Sequence, residues 1–167
     1  MIGRKIGWFI KNYSEVFLYL LLLVSLFGRK VFGLPDLSTF VLLSPLLFLD
    51  DPFKWRNKWN LSVITFPITL LTNVDLYTLL HMTLSAFAEE LFFRGYLLRR
   101  YSNVLVSFMF ALPHILLYQN LQSALTFFPS LLYGVAYQKT QSLVFVSLLH
   151  LYSNLIYNYI LAGVAQG

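Results

Sequence analysis

The chain has 167 residues, of which 58% are hydrophobic and 11% charged, with a formal net charge of +5 and no cysteine. An ordinary soluble domain carries roughly 25% charged residues, and one core of this length cannot hide so much apolar surface. The composition therefore excludes a soluble fold and describes an integral membrane protein built as a single domain, residues 1–167.

A bilayer core takes about 20 helical residues, with a range of roughly 17–25. On that measure the chain reads as an all-α, polytopic membrane helix bundle of about seven transmembrane segments. They run approximately Tyr13–Phe27, Pro35–Leu49, Asn60–Leu71, Leu76–Leu98, Ser102–Tyr118, Leu121–Tyr137 and Ser142–Leu161. Arg4, Lys5 and Lys11 precede the first run as they would in a signal sequence. No small-x-small cleavage site follows, so an uncleaved span anchored by Trp8 is expected. The loop Asp50–Trp59 holds two tryptophans and reads as a headgroup-level, topology-setting segment, with lipid or substrate recognition as the alternative. The third span is short and contains Pro67. Ser130-x-x-x-Gly134 in the sixth would permit close helix contact.

The basic residues fall between apolar segments, which sets membrane topology and does not describe a nucleic-acid surface. With the N-terminus in the cytoplasm, Arg4, Lys5, Lys11, Lys54, Arg56, Lys58, Arg99, Arg100 and Lys139 lie inside and only Arg29 and Lys30 outside. Nine against two is a strong bias, and it puts the C-terminus outside. If the third segment does not cross, the bias falls to six against five.

The polar residues that interrupt the apolar runs are few. Glu89 and Glu90 are adjacent in the fourth span, and Arg94 follows. A charge buried in a bilayer costs at least ~2.5–3.5 kcal/mol, and such residues usually face a partner, a wet cavity or a reaction. His114 follows Phe110 and Pro113 in the fifth span, and His150 and Asn154 lie in the seventh. A rise of ~1.5 Å per residue puts Glu89 ~15 Å, His114 ~18 Å, and His150 and Asn154 ~12 and ~18 Å from the inner edge. One layer near mid-membrane thus collects four polar groups from three spans. Glu90 and Arg94 are i,i+4 and pair on one face, as do His150 and Asn154. Glu89 is turned about 100° from Glu90 and points elsewhere. Pro113 frees a backbone carbonyl at the same depth. His81, Asn73 and Asp75 need no role beyond an interface or a turn.

A carboxylate beside a histidine in a wet pocket can deprotonate water, and a second imidazole with an amide can hold an oxyanion. Those parts suffice for amide hydrolysis with no required cofactor. Glu89, His114 and His150 also make a three-ligand set for Zn2+, which keeps a metal-dependent version open. Two further readings are a non-catalytic immunity or scaffold protein and an ion or proton carrier. Against the last, the titratable groups gather in one layer instead of spanning the membrane.

Glu-Glu-x-x-x-Arg (Glu89, Glu90, Arg94), then Phe-x-x-x-His (Phe110, His114), then His-x-x-x-Asn (His150, Asn154) resembles the pattern of the CPBP family, the CAAX prenyl proteases and bacteriocin-processing enzymes, also called Abi. The match covers about Ser85 to Tyr157, within a motif-bearing core of about residues 76–162. The resemblance implies an intramembrane peptidase in which Glu89 activates water that His114 helps to hold. His150 and Asn154 would form the oxyanion site, and Glu90, Arg94 and Phe110 would support it. The chain is shorter than prenyl proteases usually are and is similar to small prokaryotic members. That implies a cell-membrane (inner-membrane) protein acting on a membrane-anchored protein or peptide near its C-terminal anchor, and it puts prenyl-CAAX cleavage in doubt. Oligomeric state is not legible.

Overall fold

The computed structural model describes the backbone of residues 2–47 and 74–165 and the side chains of residues 13–47 and 74–158. The expected third span Asn60–Leu71, the loop Asp50–Trp59, Asn73, and the side chains of Trp8, Arg4, Lys5 and Lys11 lie outside the described residues. Those described are helical, and no strand occurs among them.

Helix α1 (Ile2–Phe32) buries Leu18, Leu22 and Leu26 at i, i+4, i+8 and turns Phe17, Leu20, Val24 and Phe27 outward. Such an outward apolar face has no place on a surface that meets water. Gly33 ends α1 with φ +65°, a backbone shape that glycine adopts freely, and the Leu34 amide closes back on the Gly28 carbonyl at 3.3 Å. Asp36 then pairs with Arg29 and accepts from the Ser38 amide at 2.9 Å. Burial pushes the Asp36 carboxyl up, but the Ser38 bonds and the Arg29 charge outweigh it and hold the group below its ordinary range.

Helix α2 (Ser38–Leu43) tightens into a 3-10 turn at Ser44–Leu47. Pro45 has no N–H to give the Val41 carbonyl, and the Ser44 hydroxyl supplies a donor there at 2.7 Å. Helix α3 (Leu76–Glu90) is capped by Asp75, whose carboxylate takes the Thr78 amide at 3.0 Å and the Thr78 hydroxyl at 2.6 Å. The chain then widens into a π-helical turn, Leu91–Tyr96, and tightens again at Leu97–Arg99. All six residues of the wide turn are buried.

Helix α4 (Asn103–Tyr118) contains Pro113. A proline leaves the carbonyl four residues earlier without its donor, here that of Met109. The Tyr19 hydroxyl of α1 donates to that oxygen at 2.9 Å. At the end of α4, Lys30 Nζ donates to the Leu116 and Leu117 carbonyls at 2.5 and 3.0 Å. The segment expected as one sixth span is two helices, α5 (Leu121–Leu125) and α6 (Phe127–Thr140), with a break at Thr126. Asn120 and Ser123 form a capping box at the start of α5. Gln141 in the left-handed region, φ 53°, turns the chain into α7 (Leu143–Ala165).

Helix α3 packs along α7, and α4 along α6, with α6 also against α7. Leu18, Leu22 and Leu26 of α1 meet Phe92, Phe93, Val106 and Phe110 in the main apolar cluster behind the site. Each expected span other than the third coincides with a helical stretch. No helix among the described residues is long and apolar enough to cross a membrane. The interruptions are the 3-10 turn after α2, the π turn after α3 and the break at Thr126.

Candidate active site

The end of α3 carries Glu89 and Glu90 into the space between α4 and α7. The two carboxylates meet different surroundings. Glu90 and Arg94 are fully buried, at 0% side-chain exposure, while Glu89 keeps 21% and His114 24%. Glu90 Oε1 accepts from Arg94 Nη1 at 3.1 Å and from His150 Nδ1 at 3.0 Å. Arg94 Nη2 donates to both the carbonyl and the hydroxyl of Ser130 at 2.7 Å. The guanidinium lies over the rings of Phe110 at 4.9 Å and Tyr133 at 5.5 Å, so its charge is met by a carboxylate, two oxygens and two aromatic faces.

Glu89 points to the histidines, as its 100° offset from Glu90 predicts. Its Oε2 stands 4.0 Å from His114 Nε2 and 3.9 Å from His150 Nε2. Both imidazoles are held from behind. His114 Nδ1 donates to the Phe110 carbonyl at 2.9 Å, which fixes the proton on that nitrogen and leaves Nε2 facing Glu89. His150 does the same through Glu90. Phe110 stacks on His114 with ring centroids 4.8 Å apart and meets His150 edge-on at 5.6 Å.

The structure thus brings together Glu89, Glu90, Arg94, Phe110, His114 and His150. Asn154 shares the His150 face of α7 one turn on and is half-buried, and among the described residues it has no hydrogen bond to Glu89, His114 or His150. His81 is exposed, its ring 6.4 Å from that of Tyr77, away from this cluster. Two residues that sequence reasoning did not assign to the site belong beside it. Ser130 was visible only as half of a small-residue spacing, and Tyr133, stacked on His150 at 5.3 Å, carried no signal in a helix rich in aromatics.

The alternative zinc set fits poorly. Tetrahedral donors at ~2.0–2.2 Å from zinc lie about 3.3–3.6 Å from one another, closer than the 3.9 and 4.0 Å found between Glu89 and the imidazoles. Among the described residues no group of three or more His, Cys, Asp or Glu side chains stands close enough to hold a metal ion.

An exposed-edge carboxylate facing two back-pinned imidazoles, beside a sealed ion pair, defines a candidate hydrolytic centre. A family model described as Type II CAAX prenyl endopeptidase Rce1-like matches residues 71–156, just over half of the chain and the whole of this site. The chain belongs to that family, within the CPBP group of peptidases. Comparison with curated proteins and with solved structures gave no match.

Proposed function

We propose that the protein is an intramembrane endopeptidase that cleaves a membrane-anchored protein substrate with a water activated by Glu89. The observation that carries this reading is the difference between neighbours. Glu90 is sealed and spent on Arg94 and His150, while Glu89 Oε2 is buried yet lacks a hydrogen-bond partner and faces two imidazole nitrogens. Separations of 3.9–4.0 Å are too long for direct bonds. They suit a water lying ~2.8 Å from each group, a normal hydrogen-bond length.

The reaction follows from those positions. The water donates one hydrogen to Glu89 and one to His114 Nε2. Glu89 takes its proton as the oxygen attacks the peptide carbonyl carbon, and the carbonyl electron pair moves onto oxygen. His150, doubly protonated between the two carboxylates, donates from Nε2 to that oxyanion, and the Asn154 amide donates beside it. Collapse of the intermediate breaks the C–N bond, and the amine leaves with the proton from Glu89.

Membrane embedding is supported by the outward apolar faces of α1, α4 and α6, with Val24, Phe108 and Leu132 among the exposed residues. In this reading the helices cross or enter the bilayer as about seven segments, N-terminus inside, and the interruptions near the site give the substrate backbone and water access at membrane depth. The short chain favours a dedicated processing or sorting protease over a prenyl-CAAX enzyme.

The test is cleavage of a reporter with a C-terminal apolar helix and basic tail, reconstituted with the purified protein. Cleavage by the wild type, none by Glu89→Gln at equal thermal stability, and an unchanged rate under strong chelation are expected. An undiminished rate in Glu89→Gln would overturn the assignment of the base, and loss of activity restored by added zinc would replace it with a metalloenzyme.

A further inference from the structure

Helix α6 carries none of the motif residues, yet it supplies the wall against which His150 rests. The Tyr133 and His150 rings lie 25° from parallel with centroids 5.3 Å apart, and Tyr133 is only 6% exposed. Phe110 meets the same imidazole at 64° from its other side. The bond from Nδ1 to Glu90 holds one atom of the ring but not its plane, because the ring can still pivot about that bond, and the torsion that turns an imidazole on its Cβ is broad and soft. Two aromatic surfaces at different angles remove that freedom.

Tyr133 is itself fixed. Its hydroxyl is hydrogen-bonded with Ser153 of α7. Ser153 Oγ already donates to the Leu149 carbonyl at 3.1 Å, so it accepts from Tyr133. One turn earlier on α6, Ser130 holds Arg94, the partner of Glu90. One face of α6 therefore fixes both groups that meet at Glu90 Oε1.

We infer that Tyr133 is a positioning residue: its ring sets the plane of the His150 imidazole so that Nδ1 meets Glu90 while Nε2 meets Glu89. The inference deepens the hydrolase reading above but is visible without catalysis. With three histidines in the chain, 15N-histidine labelling and His→Gln assignment isolate the His150 signals. A deshielded, slowly exchanging Nδ1 proton is expected in the wild type and in Tyr133→Phe, which keeps the ring and loses only the Ser153 bond. It is expected to vanish in Tyr133→Leu and in Tyr133→Met, the second variant guarding against a failure of the first to fold. On the reporter peptide, Tyr133→Leu lowers kcat about 30–100-fold with KM within about 2-fold, and Tyr133→Phe stays within about 3-fold of wild type, the cost expected of a misplaced catalytic group.

Persistence of the Nδ1 signal in folded Tyr133→Leu overturns the inference, as does equal loss in Tyr133→Phe. If the wild type cleaves nothing while the signal responds as stated, the hydrolase reading falls and the positioning of His150 by Tyr133 stands.

Discussion

One oxygen of Glu90 joins two helices: Oε1 receives Arg94 from its own chain segment and His150 from α7, at 3.1 and 3.0 Å. The pair Glu90–Arg94 is thus more than an intrahelical bridge. It is the support on which an imidazole of the site is mounted.

Removing either member strands a charge. Both side chains are fully buried, and an uncompensated buried charge costs about 3–5 kcal/mol. Arg94→Met is expected to destabilise the protein by that order and Glu90→Gln by a comparable amount, read from denaturant unfolding in detergent. The double variant Glu90→Gln/Arg94→Met should recover much of the loss. Strictly additive losses would show that the pair is not coupled.

Gly134 is a point of closest approach between α6 and α4. A Cβ built there would lie 1.7 Å from Asn103 Oδ1, while Asn103 Nδ2 ties the same helices through the Leu131 carbonyl at 2.9 Å. Gly134→Ala is expected to cost about 1–3 kcal/mol through overpacking. Asn103→Ala gives up its bond but clears the space, so the two substitutions together should cost less than their sum. Circular-dichroism melts of the four proteins decide it.

Tyr19 and Pro113 form a second such pair through Met109. Tyr19→Phe leaves the Met109 carbonyl without its donor, a loss of about 1–3 kcal/mol. Pro113→Ala restores the amide that a regular helix would offer. In that background Tyr19→Phe should cost little, and an equal cost in both backgrounds would refute the assignment.

At the start of α3, the hydroxyl and amide of Thr78 hold the Asp75 carboxyl below its ordinary value of 3.8. Because the folded value is the lower one, the stabilisation is complete above the unfolded value and is lost as pH falls through the folded one. Hydrogen exchange at the Thr78 amide, corrected for its intrinsic rate, should accelerate below about pH 4 in the wild type. In Asp75→Asn that acid-induced acceleration should be absent.

Much of this was legible beforehand because it is local. The i,i+4 spacing of Glu90 and Arg94, the opposed heading of Glu89, the freed carbonyl at Pro113 and the close approach at Ser130 and Gly134 each depend on a few consecutive residues of one helix. What escaped is what crosses between helices. Nothing near Tyr133 marks it as the neighbour of His150, since an aromatic in an apolar helix reads the same whether it packs or positions. The second bond to Glu90, which makes it a support for His150, is equally invisible in a sequence window. The break at Thr126 had a cue in Asn120 and Pro129, which an apolar average over the whole segment conceals.

The wide turn at Leu91–Tyr96 imposes a condition on chain length. A π turn accommodates one residue more than the α-helical path it replaces, and here it does so between the two glutamates and the rest of the bundle. Losing a residue anywhere in that stretch would relax it to an ordinary helix and swing everything downstream by about 100°. Substitutions there are graded in effect, whereas a one-codon deletion acts like a gear slipping a tooth. The count of residues between Glu90 and Leu97 is as much a part of the site as any side chain in it.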